Sequence, residues 1–400
     1  MSTNCKLAKL GLNFDMSGKV TPCNLTRYYL EDVDSGEHYN VLTDDVKTIW
    51  DSKHRKKFID DHTNGVRSPF CSTCWDAEDA GIESPRQQTN KRLRDVEIIE
   101  SQPRIIIMKP GNLCNNACRS CSADTSSMWY KTDYALDNQG KTFKEYLKHW
   151  ELHKTAYTNN EMLEQRVAEW EDNILAWDMY GGEPMIVPLF FKLLDQAVVS
   201  NNIKEKTFHV HTNGMVYVDD LIEKFSKFKS SSMGFSIDAI GPMNDYIRYG
   251  SKWEDIIGNL KKYMADCEKY DNVKIDVRIT WTPWNVYYYD EVFDYFKNLG
   301  IRSGGCWCDD QPWNDVRYLP KKVKDAVLEK LSRYKNTDKQ WLNKFNDIKK
   351  WMPTEPEDYN ELQSSFIEFN SKVDNIRKEK FTDVFPEYSK LFQKEDNVNS

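Results

Sequence analysis

Residues 104–121 read RIIIMKPGNLCNNACRSC. Arg104 to Met108 is a short apolar run of the length and composition of a buried strand. Gly111 then opens a loop that carries Cys114, Cys118 and Cys121, separated by three and then two residues. Downstream, five more strand candidates follow: Ile174 to Asp178, Thr207 to His211, Met233 to Asp238, Lys274 to Trp281 and Ile301 to Trp307. Helices lie between the later ones. The clearest is Lys252 to Tyr270, where Trp253, Ile256, Ile257, Leu260, Met264 and Cys267 fall on one face. Alternating strands and helices imply a parallel sheet with right-handed crossovers. Six strands suit an open, partial (β/α)6 barrel, so the expected fold class is α/β.

Two further regions flank this core. Residues 1–92 form a small cysteine-rich α+β module. There GLNF, a DMSGK turn and VTPCN predict a hairpin. A helix follows from about Asp44 to Asp61, with Thr43 as N-cap and Asn64-Gly65 as its stop. The polar stretch ESPRQQTNKR reads as a linker to the barrel, which spans 102–310. Residues 315–400 are rich in lysine and glutamate with interspersed aromatics, and predict a helical extension with no returning strand. Acidic and basic residues alternate there as on solvated faces, which still leaves room for a partner to dock.

The chain has 400 residues, 40% hydrophobic and 13% aromatic, enough for a large core. A net charge of −8 argues against a nucleic-acid partner, because such binding draws on clustered Lys and Arg. The opening MSTNCKLAKLGLNFD lacks the apolar centre of a signal peptide, Ser2 stands where myristoylation requires glycine, and no run of 18 apolar residues occurs. The expectation is a cytoplasmic chain without a membrane segment. Ten cysteines in a reducing compartment point to metal or redox chemistry rather than disulfides.

The spacing of Cys114, Cys118 and Cys121 lets one tight loop aim three thiolates at a single [4Fe-4S] cubane. Three protein ligands for four irons leave one iron open to a chelating ligand, a role that the amino and carboxylate groups of S-adenosylmethionine can fill. A zinc site with a fourth ligand from elsewhere is the alternative on the cysteines alone. After the second strand comes WDMYGGEPMI, with Gly181, Gly182, Glu183 and Pro184 at the strand's carboxyl end, where parallel folds place their ligands. Two glycines permit a close backbone approach, and Glu183 can meet a ligand ammonium.

A CxxxCxxC loop after the first strand followed by GGEP after the second resembles the radical S-adenosylmethionine (SAM) superfamily. Thr212, Asn213 and Gly214 resemble its TNG segment, and FSIDAIG with Ser236 and Asp238, together with Arg248 in YIRYGS, resembles the branch with auxiliary clusters. The likeness covers roughly residues 102 to 308. It implies that Cys114, Cys118 and Cys121 ligate the catalytic cluster, that Gly181, Gly182 and Glu183 lie at the methionine amino group, and that Thr212, Asn213, Ser236 and Arg248 contact ribose or carboxylate. Asp238 stands where related peptide-modifying enzymes can place a proton acceptor; its alternative is a residue that only orders the next loop. The family often has an aromatic residue before the third cysteine, and this chain has Ser120.

Cys71 and Cys74 form a CxxC in CSTCWDAEDAG, with Cys5 and Cys23 upstream. This segment resembles the twitch or SPASM auxiliary-cluster module of the same superfamily, which normally follows the barrel and here precedes it. The resemblance implies a second [4Fe-4S] cluster on these four cysteines; a zinc knuckle suits the spacing equally. Cys306 and Cys308 in GGCWCDD share a strand face and are candidates for hydrogen-atom donation or metal binding. Cys267 reads as core, the cluster WTPWNVYYY as packing or a channel lining, and His211 as a strand residue. The seven histidines show no HxxH or HExxH pattern.

The expected activity is reductive cleavage of S-adenosylmethionine to a 5′-deoxyadenosyl radical that abstracts hydrogen from a peptide or protein. The electron would come from a donor such as flavodoxin or ferredoxin. Nucleobase or small-metabolite modification by the same chemistry, and a non-catalytic iron-sulfur or zinc interaction module, are the alternatives.

Overall fold

The computed structural model of the chain describes residues 2–26, 28–99, 101–137, 140–155 and 161–393, with the backbone only for 151–155 and 161–162. Its centre is one sheet of eight strands: β1 (Gly11–Phe14), β2 (Val20–Thr21), β3 (Ile105–Met108), β4 (Ala176–Met179), β5 (Thr207–Thr212), β6 (Ser230–Ser236), β7 (Val273–Trp281) and β8 (Ser303–Trp307). The order is β2-β1-β3-β4-β5-β6-β7-β8. All six strands expected for the barrel are present, in chain order and parallel, each joined to the next by a helical crossover. The sheet remains open, with β2 and β8 at its edges.

The hairpin also forms, with Asn13 opposite Thr21 and Phe14 opposite Val20. Its first strand then runs parallel to β3, Gly11 to Phe14 alongside Ile105 to Met108, so the N-terminal module extends the barrel sheet. That continuation could not be read from the sequence, because GLNF is too short to declare a partner.

Alternation sorts each strand into two faces. Ile106, Met108, Trp177, Met179, Phe208, Val210, Met233 and Phe235 point outward and are buried among the crossover helices. The helix Trp253–Cys267 packs Ile256, Ile257, Leu260 and also Tyr263 into this core, with Trp253, Met264 and Cys267 at its margin. On the inner face, Ile105 and Ile107 pack with Leu10 and Leu93 of the N-terminal module, and Asp178, His209, His211 and Ser232 follow toward the middle of the sheet.

Three local expectations change. The segment 44–61 is two helices, Val46–Trp50 and Lys53–Thr63, because Ser52 takes extended backbone and caps the second through Arg55 N. Asp45, not Thr43, caps the first, its carboxylate accepting from Thr48 N. The stretch read as a linker contains a helix, Pro85–Arg92, started by a capping box between Ser84 and Gln87 with proline in its first turn. No helix among the described residues is long and apolar enough to cross a membrane.

Candidate functional site

The loop after β3 is built to hold its cysteines in place. Asn112, fully buried, donates to Ala123 O at 3.0 Å and to Tyr130 Oη at 2.8 Å. Ser126 Oγ donates to Asn116 O at 2.6 Å, and Trp129 Nε1 donates to Cys118 O at 2.7 Å. From the other side, Ala117 N and Arg119 N each donate at 2.7 Å, to Tyr249 O and Ile247 O. The three thiols converge: Cys118 and Cys121 are near enough to shift one another, and Cys114 lies within their electrostatic reach. The neighbouring Cys121 and the Arg248 charge pull the Cys118 thiol down while Cys118 pushes Cys121 up, and burial pushes Cys114 up to about 11.

Arg119, inside this loop, is fully buried and was passed over in the sequence. Its guanidinium donates to Tyr246 O at 3.1 Å, Asn370 Oδ1 at 3.0 Å, Asp374 Oδ1 at 2.6 Å and Glu379 Oε2 at 2.8 Å. It also stacks over the Tyr246 ring at 3.7 Å. The three side-chain acceptors belong to the C-terminal helix Ser365–Arg377 and the turn after it, where Lys378 adopts left-handed backbone (φ 59°). Arg377 of that helix lies 4.5 Å from the Trp129 ring centre and 4.4 Å from that of Tyr249. None of its three guanidinium nitrogens has a protein partner. The signal in the sequence was present but quiet: Asn370, Asp374 and Arg377 occupy core-stripe positions of a helix, where apolar residues belong.

The GGE turn after β4 sits directly on the cysteine loop. Glu183 N donates to Leu113 O at 2.8 Å. Gly182 has φ +56°, and a Cβ there would fall 2.4 Å from Leu113 O and 2.9 Å from Gly111 O, so only glycine fits. Gly181 lies as close to the Lys109 side chain, 2.9 Å from where its Cβ would be. The Glu183 carboxylate is fully enclosed and accepts from Thr212 Oγ1 at 2.8 Å, Asn213 N at 2.6 Å and Met185 N at 3.0 Å. Its side chain thus clamps the end of β5 instead of facing open space. Asn213 Nδ2 returns to the cysteine loop through Asn115 Oδ1 at 2.6 Å.

Asp238 and Arg248 meet on the far side of the cysteines. Arg248 Nη1 donates to Asp238 Oδ2 at 2.7 Å, and Thr280 N donates to Asp238 Oδ1 at 3.0 Å. Burial opposes the Arg248 charge, but the adjacent Cys118, Asp238 and Cys121 outweigh it and hold its pKa above the usual value. Arg248 Nε is buried without a partner. Both oxygens of Asp238 are thus engaged, one of them in support of Arg248. Ser236 ends β6 beside Arg278.

The four N-terminal cysteines also gather, from three separate segments. Cys5 precedes the helix Lys6–Leu10, Cys23 follows β2, and Cys71 and Cys74 stand at the start of the helix Ser72–Asp79. Burial raises all four thiols, Cys71 to about 11 and Cys74 to about 12. The other three cysteines raise Cys23 further. A buried ion pair, Arg86 to Glu78 at 2.7 Å, anchors the surroundings, and Arg86 also holds the N-terminal segment through Ser2 O and Asn4 O. Cys306 lies in β8 and is accessible, within electrostatic reach of Lys344, Arg278 and Asp238; Cys308 lies beyond the strand and donates to Asp310 Oδ1 at 2.9 Å.

Both thiol sets fit iron-sulfur clusters. Three converging thiols with a cationic flank fit an open-site cubane, and the partnerless polar atoms of fully buried Asn116, with those of Arg248 and Arg377, are donors or acceptors in wait for a non-protein group. Four converging thiols fit a fully ligated cluster. The sequence comparisons agree. A Radical SAM superfamily model matches residues 108–275, and a SPASM iron-sulfur cluster-binding domain model matches residues 5–75. The chain thus carries a radical SAM domain over residues 108–275 and a SPASM domain on its N-terminal side. These domains bring a [4Fe-4S] cluster with S-adenosylmethionine, and a further cluster.

Among solved structures, native anSMEcpe with bound AdoMet is 18% identical over 58% of this chain and 60% of that one, with a TM-score of 0.40. Streptococcus suis SuiB bound to precursor peptide SuiA is 14% identical over 78% of this chain and 55% of that one, with a TM-score of 0.36. The chain thus spans about three fifths or less of the length of either structure. No curated protein matches it in sequence.

Proposed function

We propose that the chain is a radical SAM enzyme that modifies a peptide or protein, with Cys114, Cys118 and Cys121 holding the catalytic cluster. The observation that carries this reading is the convergence of three thiols in a loop locked to the GGE turn and flanked by Arg248. When bound, the cluster and S-adenosylmethionine supply the reductive cleavage that yields a 5′-deoxyadenosyl radical.

The protein's own residues then have distinct tasks. Gly181 and Gly182 bring backbone carbonyls to the ligand's amino group without a Cβ in the way. Glu183 keeps that backbone rigid by tying it to Thr212 and Asn213. Arg248, oriented by Asp238, offers its unpartnered Nε to a carboxylate and places a positive charge beside the thiolates. Thr212, Asn213 and Ser236, at the ends of neighbouring strands, would contact the ribose. Cys5, Cys23, Cys71 and Cys74 hold the auxiliary cluster. A low-potential flavodoxin or ferredoxin supplies the electron. A peptide or protein substrate is supported by the SPASM match and by the SxDG-like and YIRYGS segments of the auxiliary-cluster branch.

The test is anaerobic reconstitution with dithionite and S-adenosylmethionine, assayed for 5′-deoxyadenosine beside a Cys114, Cys118, Cys121 triple alanine variant. Product from the wild type alone supports the reading; none from a cluster-loaded wild type refutes it.

A further inference from the structure

The inner face of the sheet carries a second set of ligating side chains away from both cysteine sites. Asp178 of β4 lies opposite His209 of β5, which lies opposite Ser232 of β6. His209 and His211 are two apart on one strand, so both imidazoles emerge on the same side. The sequence pattern HVH states this, but a search for helical HxxH spacing passes over it.

The side chains close on a single point. His209 Nε2 and His211 Nε2 are 3.0 Å apart, and one ligand atom from each of Asp178, His209 and His211 lies within 4.8 Å of the others. Two nitrogens at that separation subtend about 90° at a cation bound at ordinary Zn–N distance. The outer nitrogen of His209 is already committed, Nδ1 to Ser232 Oγ at 2.6 Å, which turns Nε2 inward as outer-shell partners of metal-bound histidines do. Asp178 Oδ1 is buried with no hydrogen-bond partner, an acceptor left vacant beside the two imidazoles. Room is provided by Gly234, across from His211; a Cβ there would come within 3.2 Å of His211 Nδ1. The nearest cation on β7, Arg278, is neutralised by Asp276, with both contacts at 2.7 Å. Arg92 of the N-terminal module also faces the cluster.

We propose that Asp178, His209 and His211 bind one divalent first-row cation of the Zn(II) or Fe(II) type, with its remaining coordination positions open to the barrel interior. Two imidazoles and one carboxylate are the donor set that suits such ions. The site is separate from the thiolate sites and does not depend on the activity proposed above.

The experiment uses the full chain, reconstituted anaerobically with iron and sulfide, desalted and exposed to one equivalent of Zn²⁺. Zinc, iron and acid-labile sulfide are measured per chain, with zinc X-ray absorption for the ligand shell. The expected wild-type result is about one zinc in a nitrogen and oxygen shell with imidazole scattering and no sulfur. If native Fe(II) holds the site instead, zinc uptake is blocked and iron exceeds sulfide by about one per chain. Either signal disappears in the His209→Ala, His211→Ala double variant and in the near-isosteric Asp178→Asn, while sulfide content stays at the wild-type value. Ser232→Ala, which keeps all three ligands, weakens affinity about tenfold through loss of the imidazole's orienting partner. Zinc or excess iron retained equally by Asp178→Asn and Ser232→Ala, sulfur in the zinc shell, or neither metal in the wild type would overturn the proposal.

Discussion

The two cysteine sites of this molecule are built on opposite plans. The N-terminal four, Cys5, Cys23 and the Cys71/Cys74 pair, come from three separated segments, and burial raises every one of their thiols. The barrel loop supplies three thiols from eight residues and surrounds them with cations: Arg248 on one side and Arg377 on the other both act on Cys118. One site is closed by its own ligands. On the proposed assignment the other is a ligand short and has cations and unpartnered donors beside it, which suits an exchangeable ligand that bears a carboxylate.

Removing ligands separates the two plans most sharply. The Cys114, Cys118, Cys121 triple alanine variant is expected to lose all 5′-deoxyadenosine formation and about four irons per chain while keeping the other cluster. Cys71→Ala is expected to lose about four irons from the N-terminal site and to leave S-adenosylmethionine binding to the barrel measurable by calorimetry. Iron analysis checks both, and loss of about eight irons from either variant would mean that the sites are not independent.

Next in size is Arg119→Ala. It strands Asp374, and Glu379 beside it, without their buried cation, and a broken buried pair costs on the order of 3–5 kcal/mol. Denaturant unfolding is expected to show that loss, and cluster loading of the barrel loop to fall with it. Gly182→Ala forces φ +56° on a residue with a Cβ 2.4 Å from Leu113 O, a strain of about 1–3 kcal/mol before any shift of the loop. Its effect should appear first in S-adenosylmethionine affinity. The smallest expected change is Asp238→Asn: weakening one charge-assisted hydrogen bond to Arg248 raises KM for S-adenosylmethionine about tenfold with cleavage intact. Complete loss of substrate turnover with unchanged cleavage would instead restore Asp238 as a base.

The barrel was legible because its signals are local. Strands and helices of ordinary length alternate, the cysteine loop and GGEP follow the first two strands, and both glycines occupy backbone that only glycine tolerates. What escaped the sequence depends on long-range pairing. Nothing near Arg119 announces Asn370 or Asp374, which lie 251 and 255 residues away. Likewise Gly11 to Phe14 read as half of a hairpin, and their second partner, β3, is beyond the range of turn chemistry. Glu183 was read as facing a ligand because its motif is local; its clamp on Thr212 and Asn213 is not.

The most direct measurement of the central claim is 5′-deoxyadenosine formed per cluster by the anaerobically reconstituted full chain with dithionite and S-adenosylmethionine. The account predicts product from the wild type and none from the variant lacking Cys114, Cys118 and Cys121. A wild type with its cluster loaded and S-adenosylmethionine bound, yet forming no 5′-deoxyadenosine, would contradict it.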